Sequence, residues 1–132
     1  MRYLLDTNTC IAVMRKKPTV VRRMTAVSFD ECAVSTITTY ELFTGIEKCP
    51  SPAKERARVD LFLKTVQALP FDDGAARAAG RMRALLESQG QSIGPYDYLL
   101  AGHASTLSLI LVSANTREFE RIPGLIVKNW EL

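Results

Sequence analysis

The sequence predicts an α/β fold with a mostly parallel sheet, because short apolar runs alternate with helical patterns along the chain. Some of these runs are rich in β-branched residues, which favour strands. Polar residues with helix-capping side chains follow several of the runs directly. We expect one domain over residues 1–132, since a chain of this length suits a single hydrophobic core.

The first elements are a short buried strand and two helices. Tyr3 to Leu5 reads as the strand, and Asp6-Thr7-Asn8 after it is typical of a helix start. Helical patterns follow from Thr9 to Arg15 and from Pro18 to Met24. The break between them is expected at Lys16-Lys17, because the residue before a proline disfavours helical backbone.

A second strand and two more helices come next. Cys32 to Ile37 is rich in β-branched residues and predicts the strand. Thr38 or Thr39 then caps a helix that runs to Lys48, and Lys54 to Gln67 forms the following helix. The two helices are expected to bury apolar stripes made of Leu42, Phe43 and Ile46, and of Val59, Phe62, Leu63 and Val66.

The remaining elements are predicted from similar patterns. Three further strands are expected at Ala68–Phe71, Leu109–Ser113 and Ile126–Lys128. Asp72 or Asp73 caps a long helix that ends near Gly90. Pro95 suits the first turn of the next helix.

Composition favours a soluble, cytoplasmic protein. Lys and Arg number 17 against 14 Asp and Glu, a mild bias toward anionic partners such as nucleic acid. The three cysteines form no CxxC pair, which argues against a zinc site or a disulfide framework and favours free thiols in a reducing compartment. No apolar run approaches the ~18 residues of a membrane span, and no signal peptide is readable.

Acidic and amide side chains follow the predicted strands. Asp6 comes directly after the first strand, Glu41 is expected in the first turn of the helix after the second, and Asp97 in the first turn after Pro95. Asn115 and Glu118 follow the fourth strand. Each has a purely structural explanation, such as a helix cap, a capping box of Thr38 with Glu41, or a favourable helix dipole.

The joint placement of these side chains suggests a shared site. The carboxyl ends of parallel strands meet at one sheet edge, where ligands bind. Three carboxylates within ~4–5 Å would repel by about 4 kcal/mol per pair, comparable in sum to a whole folding free energy of about 5–15 kcal/mol. Such a cluster must hold protons or bind a cation. All-oxygen ligands favour Mg²⁺ or Mn²⁺, which can activate water for phosphodiester hydrolysis.

No set of Ser, His and Asp that would serve a nucleophilic hydrolase is readable. His103 is the only histidine and lies at helical spacing from Leu99 and Leu107. This position favours a buried, hydrogen-bonded core histidine over a metal ligand or a catalytic base.

At these residues the sequence resembles PIN-domain toxins of the VapC type. The segments that carry the resemblance are YLLDTN, Tyr40-Glu41-Leu42 before Gly45, IGPYDYLLAGHA and LVSANTREFERIPGL. It covers essentially the whole chain and implies a three-layer α/β/α fold with a five-stranded sheet. It further implies a Mg²⁺- or Mn²⁺-dependent endoribonuclease whose acids are Asp6, Glu41 and Asp97.

The resemblance leaves the fourth acidic position open between Asn115 and Glu118. It implies a structured RNA substrate, such as the anticodon loop of initiator tRNA. It also implies a homodimer, and silencing by a VapB-type antitoxin that inserts a segment into the acidic groove.

Several neighbouring polar residues are candidates for substrate contacts, although helix capping and turn chemistry are the favoured explanations for most of them. They are Thr7, Asn8, Ser113, Thr116 and Arg117. Two other functions stay open. One is a catalytically weak PIN-like module that binds RNA or a partner. The other is an aspartyl-phosphate phosphatase-like enzyme with Asp6 as nucleophile, which is disfavoured because Asn8 stands where a second Asp is usual.

Overall fold

The computed structural model describes residues 1–132 and contains one five-stranded sheet in the order β3-β2-β1-β4-β5. All strand pairs are parallel. The strands are β1 Tyr3–Leu5, β2 Cys32–Ser35, β3 Gln67–Leu69, β4 Ile110–Val112 and β5 Val127–Lys128. The helices are α1 Thr7–Met14, α2 Pro18–Val27, α3 Thr36–Lys48, α4 Pro52–Leu63, α5 Asp73–Ser88, α6 Pro95–Thr106 and α7 Thr116–Phe119.

Helices cover both faces of the sheet, as the alternation of buried side chains along the strands shows. In β1, Tyr3 and Leu5 belong to one core cluster and Leu4 to the other. The first cluster includes buried residues of α1, α2, α3 and α4, and the second includes those of α5, α6 and α7. The fold is therefore a three-layer α/β/α arrangement, and the predicted α/β class with a parallel sheet is confirmed.

The strand order places a change of direction at the centre of the sheet. The chain moves outward from β1 through β2 to β3, and it then returns to β4 on the other side of β1. In open parallel sheets the crevice at such a switch point, at the carboxyl ends of the strands, is where ligands bind. Asp6 follows β1 at this position, and Ser113 follows β4.

The structure moves several predicted boundaries. The second strand stops at Ser35 rather than Ile37, because the Ser35 hydroxyl accepts the Ile37 N–H and caps α3. The predicted caps Thr38 and Thr39 lie inside that helix, and Glu41 is in its second turn rather than its first. The helix predicted over residues 54–67 ends at Leu63, since Gln67 already pairs in β3.

One predicted buried residue is exposed, and two short elements were not predicted. Phe43 was expected in the buried stripe of its helix but is 48% exposed. The short α7 and a 3₁₀ turn at Phe29–Glu31 were not predicted, since segments of this length carry no readable periodicity. No helix has both the length and the apolar character needed to cross a membrane.

Candidate active site

Asp6 sits at the junction between the central strand and the first helix. Its side chain accepts the Thr9 N–H at 2.8 Å and so caps α1, and it is only 8% exposed. Its backbone N–H donates to the Val112 carbonyl at 3.0 Å, which fixes it beside the end of β4. Asp6 therefore caps α1, and the same hydrogen bond holds its nearly buried carboxylate at the centre of the sheet edge.

Glu41 reaches the same edge from α3. The Thr7 hydroxyl donates to Glu41 Oε1 at 2.6 Å, which joins the start of α1 to α3 across 34 residues of sequence. The capping box of Thr38 with Glu41 is not formed. Ser35 caps the helix instead, and the buried Thr38 hydroxyl has no hydrogen-bond partner. Glu41 is therefore not part of a helix cap.

Asp97, Asn115 and Glu118 form a second group at this edge. Asp97 lies in the first turn of α6, and the Asn115 side-chain amide donates to Glu118 Oε2 at 3.0 Å and to Asp97 Oδ2 at 3.4 Å. Asn115 thus bridges the two carboxylates. Both candidates for the fourth acidic position therefore lie next to Asp97: Asn115 bonds to it directly and also bonds to Glu118.

The protonation of Asp97 reflects the negative charge around it. Partial burial, a hydrogen bond with Glu118, and the charges of Glu118 and Asp6 together raise the pKa of Asp97 from 3.8 to about 6. The backbone N–H hydrogen bond at Gly94 acts in the opposite direction. Burial and neighbouring negative charge therefore both disfavour the ionised form of Asp97.

Asp6, Glu41 and Asp97 line a cleft of about 250 Å³, whereas Asn115 and Glu118 contact Asp97 but are not part of the lining. Its lining comprises Asp6, Thr7, Asn8, Glu41, Gly94, Pro95, Tyr96, Asp97 and Leu100. The predicted compact trio of Asp6, Glu41 and Asp97 is not formed, because no three His, Cys, Asp or Glu side chains are arranged closely enough to hold a metal ion. Glu41 is bonded to Thr7, and the carboxylate bonded to Asp97 is Glu118.

The candidate substrate residues differ in their surroundings. Thr7 and Asn8 line the cleft, and Thr7 already donates to Glu41. Ser113 is fully buried, and its hydroxyl accepts the Asn115 backbone N–H at 3.0 Å, which is a turn role. Thr116 and Arg117 lie at the start of α7, with Thr116 half-buried and Arg117 exposed.

Two aromatic residues at the cleft were not predicted from the sequence. Tyr96 lines the cleft and forms a hydroxyl–hydroxyl hydrogen bond of 3.2 Å with Tyr40. This hydrogen bond raises the pKa of Tyr96. Each tyrosine directly precedes a candidate acid in the sequence, and that adjacency was the available signal.

A second pocket of about 310 Å³ lies on another side of Glu41. It combines the basic residues Arg15, Lys48 and Arg58 with the apolar residues Ile11, Met14, Leu42 and Val59, and with Glu55, which forms an ion pair with Arg58. Glu41 lines both pockets, so the basic groups lie next to the acidic cleft.

His103 is a core residue, as the sequence predicted. It is 2% exposed, and burial lowers its pKa, so it is neutral at pH 7. Its Nδ1 lies 2.9 Å from the Ser35 hydroxyl, which meets its hydrogen-bonding need. It does not line the acidic cleft.

Comparisons with known proteins identify the family of this chain. The family model described as PIN domain matches residues 3–125. The tRNA(fMet)-specific endonuclease VapC of Salmonella typhimurium is 39% identical over 130 residues, which cover 98% of each chain. Ribonuclease VapC2 of Haemophilus influenzae is 37% identical over 130 residues, again 98% of each chain.

Solved structures give the same result. The crystal structure of DNA-bound VapBC from Salmonella typhimurium matches with a TM-score of 0.92 and 39% identity, covering 98% of both chains. The structure of VapBC2 from Rickettsia felis bound to a promoter DNA fragment matches with a TM-score of 0.90 and 32% identity, covering 98% of this chain and 99% of that one.

Proposed function

This chain belongs to the PIN-domain family of VapC ribonucleases, and we propose that it cleaves RNA phosphodiester bonds at the cleft lined by Asp6, Glu41 and Asp97, with Glu118 bonded to Asp97. The observation that carries the assignment is geometric: Asp6, Glu41 and Asp97, from three separate segments, line one cleft, and Glu118 from a fourth is bonded to Asp97. Burial, Glu118 and Asp6 raise the pKa of Asp97 to about 6, so ionised Asp97 is costly there without a positively charged ligand.

We further propose that the ligand is Mg²⁺ or Mn²⁺. The donors are all oxygen atoms, which these hard cations prefer, and the charge that disfavours ionised Asp97 would favour a bound dication. Asp6, Asp97 and Glu118 are the candidate ligands, but they do not lie close enough together in this structure to hold an ion. They would have to move together to bind one, and Glu41 could join them after release from Thr7. When bound, the ion supplies charge stabilisation at phosphate oxygens and a water of lowered pKa.

The protein side chains of the cleft are held in place by specific hydrogen bonds. Thr9 fixes Asp6 through its backbone N–H, Thr7 orients Glu41, and Asn115 holds Asp97 and Glu118. Such support restricts each carboxylate to a narrow range of positions before substrate arrives. In this role Asn115 is a positioning residue, and Glu118 supplies the charge at the fourth acidic position.

An RNA substrate also needs positive charge near this acidic centre. Arg15 and Lys48 provide it from the pocket that shares Glu41, where Arg58 is paired with Glu55. Because the Salmonella typhimurium relative is named as specific for tRNA(fMet), we propose a tRNA as substrate.

A VapB-type antitoxin is the proposed inhibitor, since related toxins are described in VapBC complexes. The pocket beside Glu41 combines apolar residues with Arg15 and Lys48, so a partner segment with apolar side chains and an acidic group that reaches these two cations would fit it. A homodimer is also proposed from the family resemblance, and the mass of the protein in solution tests it.

The assignment of the site is tested with Asp6→Asn and Asp97→Asn proteins, using tRNA cleavage and Mn²⁺ binding measured by calorimetry. Both variants should lose cleavage by at least about 100-fold and bind Mn²⁺ weakly, with RNA binding kept. Asp30→Asn is the matched control, because Asp30 is an exposed acid that precedes β2 at the opposite sheet edge. Cleavage at the wild-type rate by both cleft variants would refute this site.

A second test concerns growth. Expression of the wild-type protein without an antitoxin should stop bacterial growth, and Glu41→Gln should relieve the arrest. Normal growth in the presence of folded wild-type protein would contradict the proposed toxic activity.

A further inference from the structure

An exposed pair of aromatic rings borders the acidic cleft. Tyr40 is 54% exposed and Tyr96 is 42% exposed, although both are large side chains that folding would normally bury more fully. Their ring centroids lie 6.1 Å apart with an interplanar angle of 48°, and their hydroxyl groups are 3.2 Å apart. The two residues therefore form one structural unit built from α3 and α6.

The position of this pair ties it to the proposed chemistry. Tyr40 directly precedes Glu41, and Tyr96 directly precedes Asp97 and itself lines the cleft. Beyond Tyr40, a shallow depression of about 410 Å³ runs along α3 from Thr36 to Glu47 and includes the exposed Phe43. The two tyrosines thus extend from the wall of the cleft to this depression.

The hydrogen bond between the two hydroxyl groups helps to explain why the rings stay exposed to solvent. Each hydroxyl has the other as its partner, so neither side chain must turn inward to satisfy its polar group. About half of each side chain remains exposed, and exposed aromatic surface can mark an interaction site. Unpaired RNA bases stack on aromatic faces in a sequence-tolerant way.

We propose that Tyr40 and Tyr96 form a stacking platform for an unpaired base next to the scissile phosphate. This inference rests on the proposed function, because it assumes that the phosphate occupies the cleft of Asp6 and Asp97. A nucleotide flanking a phosphate in that cleft must pass the cleft wall, and Tyr96 is part of that wall. A base held in a duplex has no free face to offer, so the platform selects loops over helical RNA.

The test compares Tyr40→Leu and Tyr96→Leu with Tyr40→Phe and Tyr96→Phe. Leucine keeps apolar bulk but cannot stack, whereas phenylalanine keeps the ring and loses the hydroxyl. Cleavage of a tRNA and of a single-stranded oligoribonucleotide is measured with Mn²⁺. Each leucine variant should raise KM about ten-fold with kcat changed less than KM, while the phenylalanine variants stay within about three-fold of the wild type. Leu107→Ala is the control, an exposed apolar residue at the end of α6.

A second readout does not depend on turnover. Oligoribonucleotides carrying the fluorescent base 2-aminopurine next to the cleavage site are titrated with each protein in Ca²⁺ buffer. Wild-type protein should quench the fluorescence, and the leucine variants should quench it less. A fully duplex RNA with the same base should show no quenching by any of the proteins.

Other results would overturn the proposal in recognisable ways. Leucine variants with wild-type KM and quenching would exclude base stacking. A weaker dimer by sedimentation, or poorer inhibition by antitoxin, with KM unchanged would assign the surface to a second copy or to the antitoxin. If the wild-type protein cleaves RNA but Asp6→Asn does so equally well, the assignment of the cleft fails first. If Asp6→Asn loses cleavage but the leucine variants behave as wild type, the stacking platform is refuted and the assignment of the cleft stands.

Discussion

The hydroxyl of Ser35 and Nδ1 of His103 lie 2.9 Å apart, although the two residues are separated by 68 positions in the sequence. Ser35 also accepts the Ile37 N–H and thereby caps α3, the helix that carries Glu41. His103 is on α6, the helix that carries Asp97. A single buried hydrogen bond therefore joins the two helices whose acids face the cleft.

Loss of this bond should destabilise the fold. His103→Leu leaves the Ser35 hydroxyl without its side-chain partner in a buried place, so we expect a loss of about 1–3 kcal/mol in unfolding free energy. Ser35→Ala should cost a similar amount, because it also removes the helix cap. Urea unfolding of both single variants and the double variant gives their coupling, expected at about 1 kcal/mol. Strict additivity of the two changes would contradict the bond.

The same pair predicts a pH dependence. Burial lowers the pKa of His103 below its ordinary 6.5, so the unfolded chain binds this proton more readily than the folded one. Its contribution to stability is thus present above pH 6.5 and is lost as the pH falls through the folded pKa. The stability of His103→Leu should depend less on pH in this window, measured by urea unfolding at several pH values.

Asp97 should affect the pH dependence of folding stability in the opposite direction from His103. Its pKa is raised from 3.8 to about 6 in the folded protein, so the folded state binds the proton more readily and stability falls as pH rises from 4 to 6. Without metal, Asp97→Asn should be more stable than wild type at pH 7 by about 1 kcal/mol, after discounting for solvent screening. The difference should vanish near pH 4, and saturating Mn²⁺ should reverse it. Thermal unfolding with and without EDTA checks both points.

Glu118 and Asn115 can be separated by opposite changes of charge. Glu118→Gln removes a negative charge beside Asp97, so the pKa of Asp97 should fall, and Mn²⁺ affinity should fall about ten-fold. Asn115→Asp adds a carboxylate at the bridge, so it should raise the pKa of Asp97 and tighten Mn²⁺ binding. Carboxyl NMR titration and calorimetry measure the two quantities. Glu120→Gln, an exposed acid on the same segment, is the control; an equal effect there would deny Glu118 a specific role.

The contact between α5 and α6 gives a purely structural prediction. A Cβ on Gly102 would lie 2.5 Å from the Ala79 backbone nitrogen, so Gly102→Ala must push the two helices apart. We expect a loss of about 1–3 kcal/mol. Gly80→Ala is the matched control, because its Cβ meets nothing within 4 Å and should stabilise α5 by up to about 1 kcal/mol. Chemical denaturation of both variants provides the comparison, and equal midpoints would refute the close approach.

Much of the architecture was predictable because it depends on local patterns. β1 was predicted at its observed bounds, and Pro95 begins a helix as expected. The acids were placed after strands, and in a parallel sheet this suffices to bring them to one edge. The comparisons support the ribonuclease over the phosphatase-like alternative. Boundaries such as the end of β2 were missed because one hydroxyl at Ser35 decided the start of α3.

The details of the site were not predictable, because they depend on how distant helices pack. The sequence allowed a capping box that includes Glu41, but in the structure Glu41 accepts a hydrogen bond from Thr7. We expected three acids in one compact group from the sequence, but in the structure Asp97 is bonded to Glu118. Neither partner is marked by periodicity, since each lies 21 or more residues away in the chain.

The sequence by itself therefore determined which residues reach the carboxyl edge of the sheet, because strand burial and helix capping are local properties. Only the tertiary structure decided which atoms meet there, including the bridge at Asn115 and the ring pair of Tyr40 and Tyr96. The physical reason is that a hydrogen bond or a ring contact requires side chains to meet within a few ångströms. The packing of α3, α6 and α7 on the sheet sets those separations, and spacing along the chain does not.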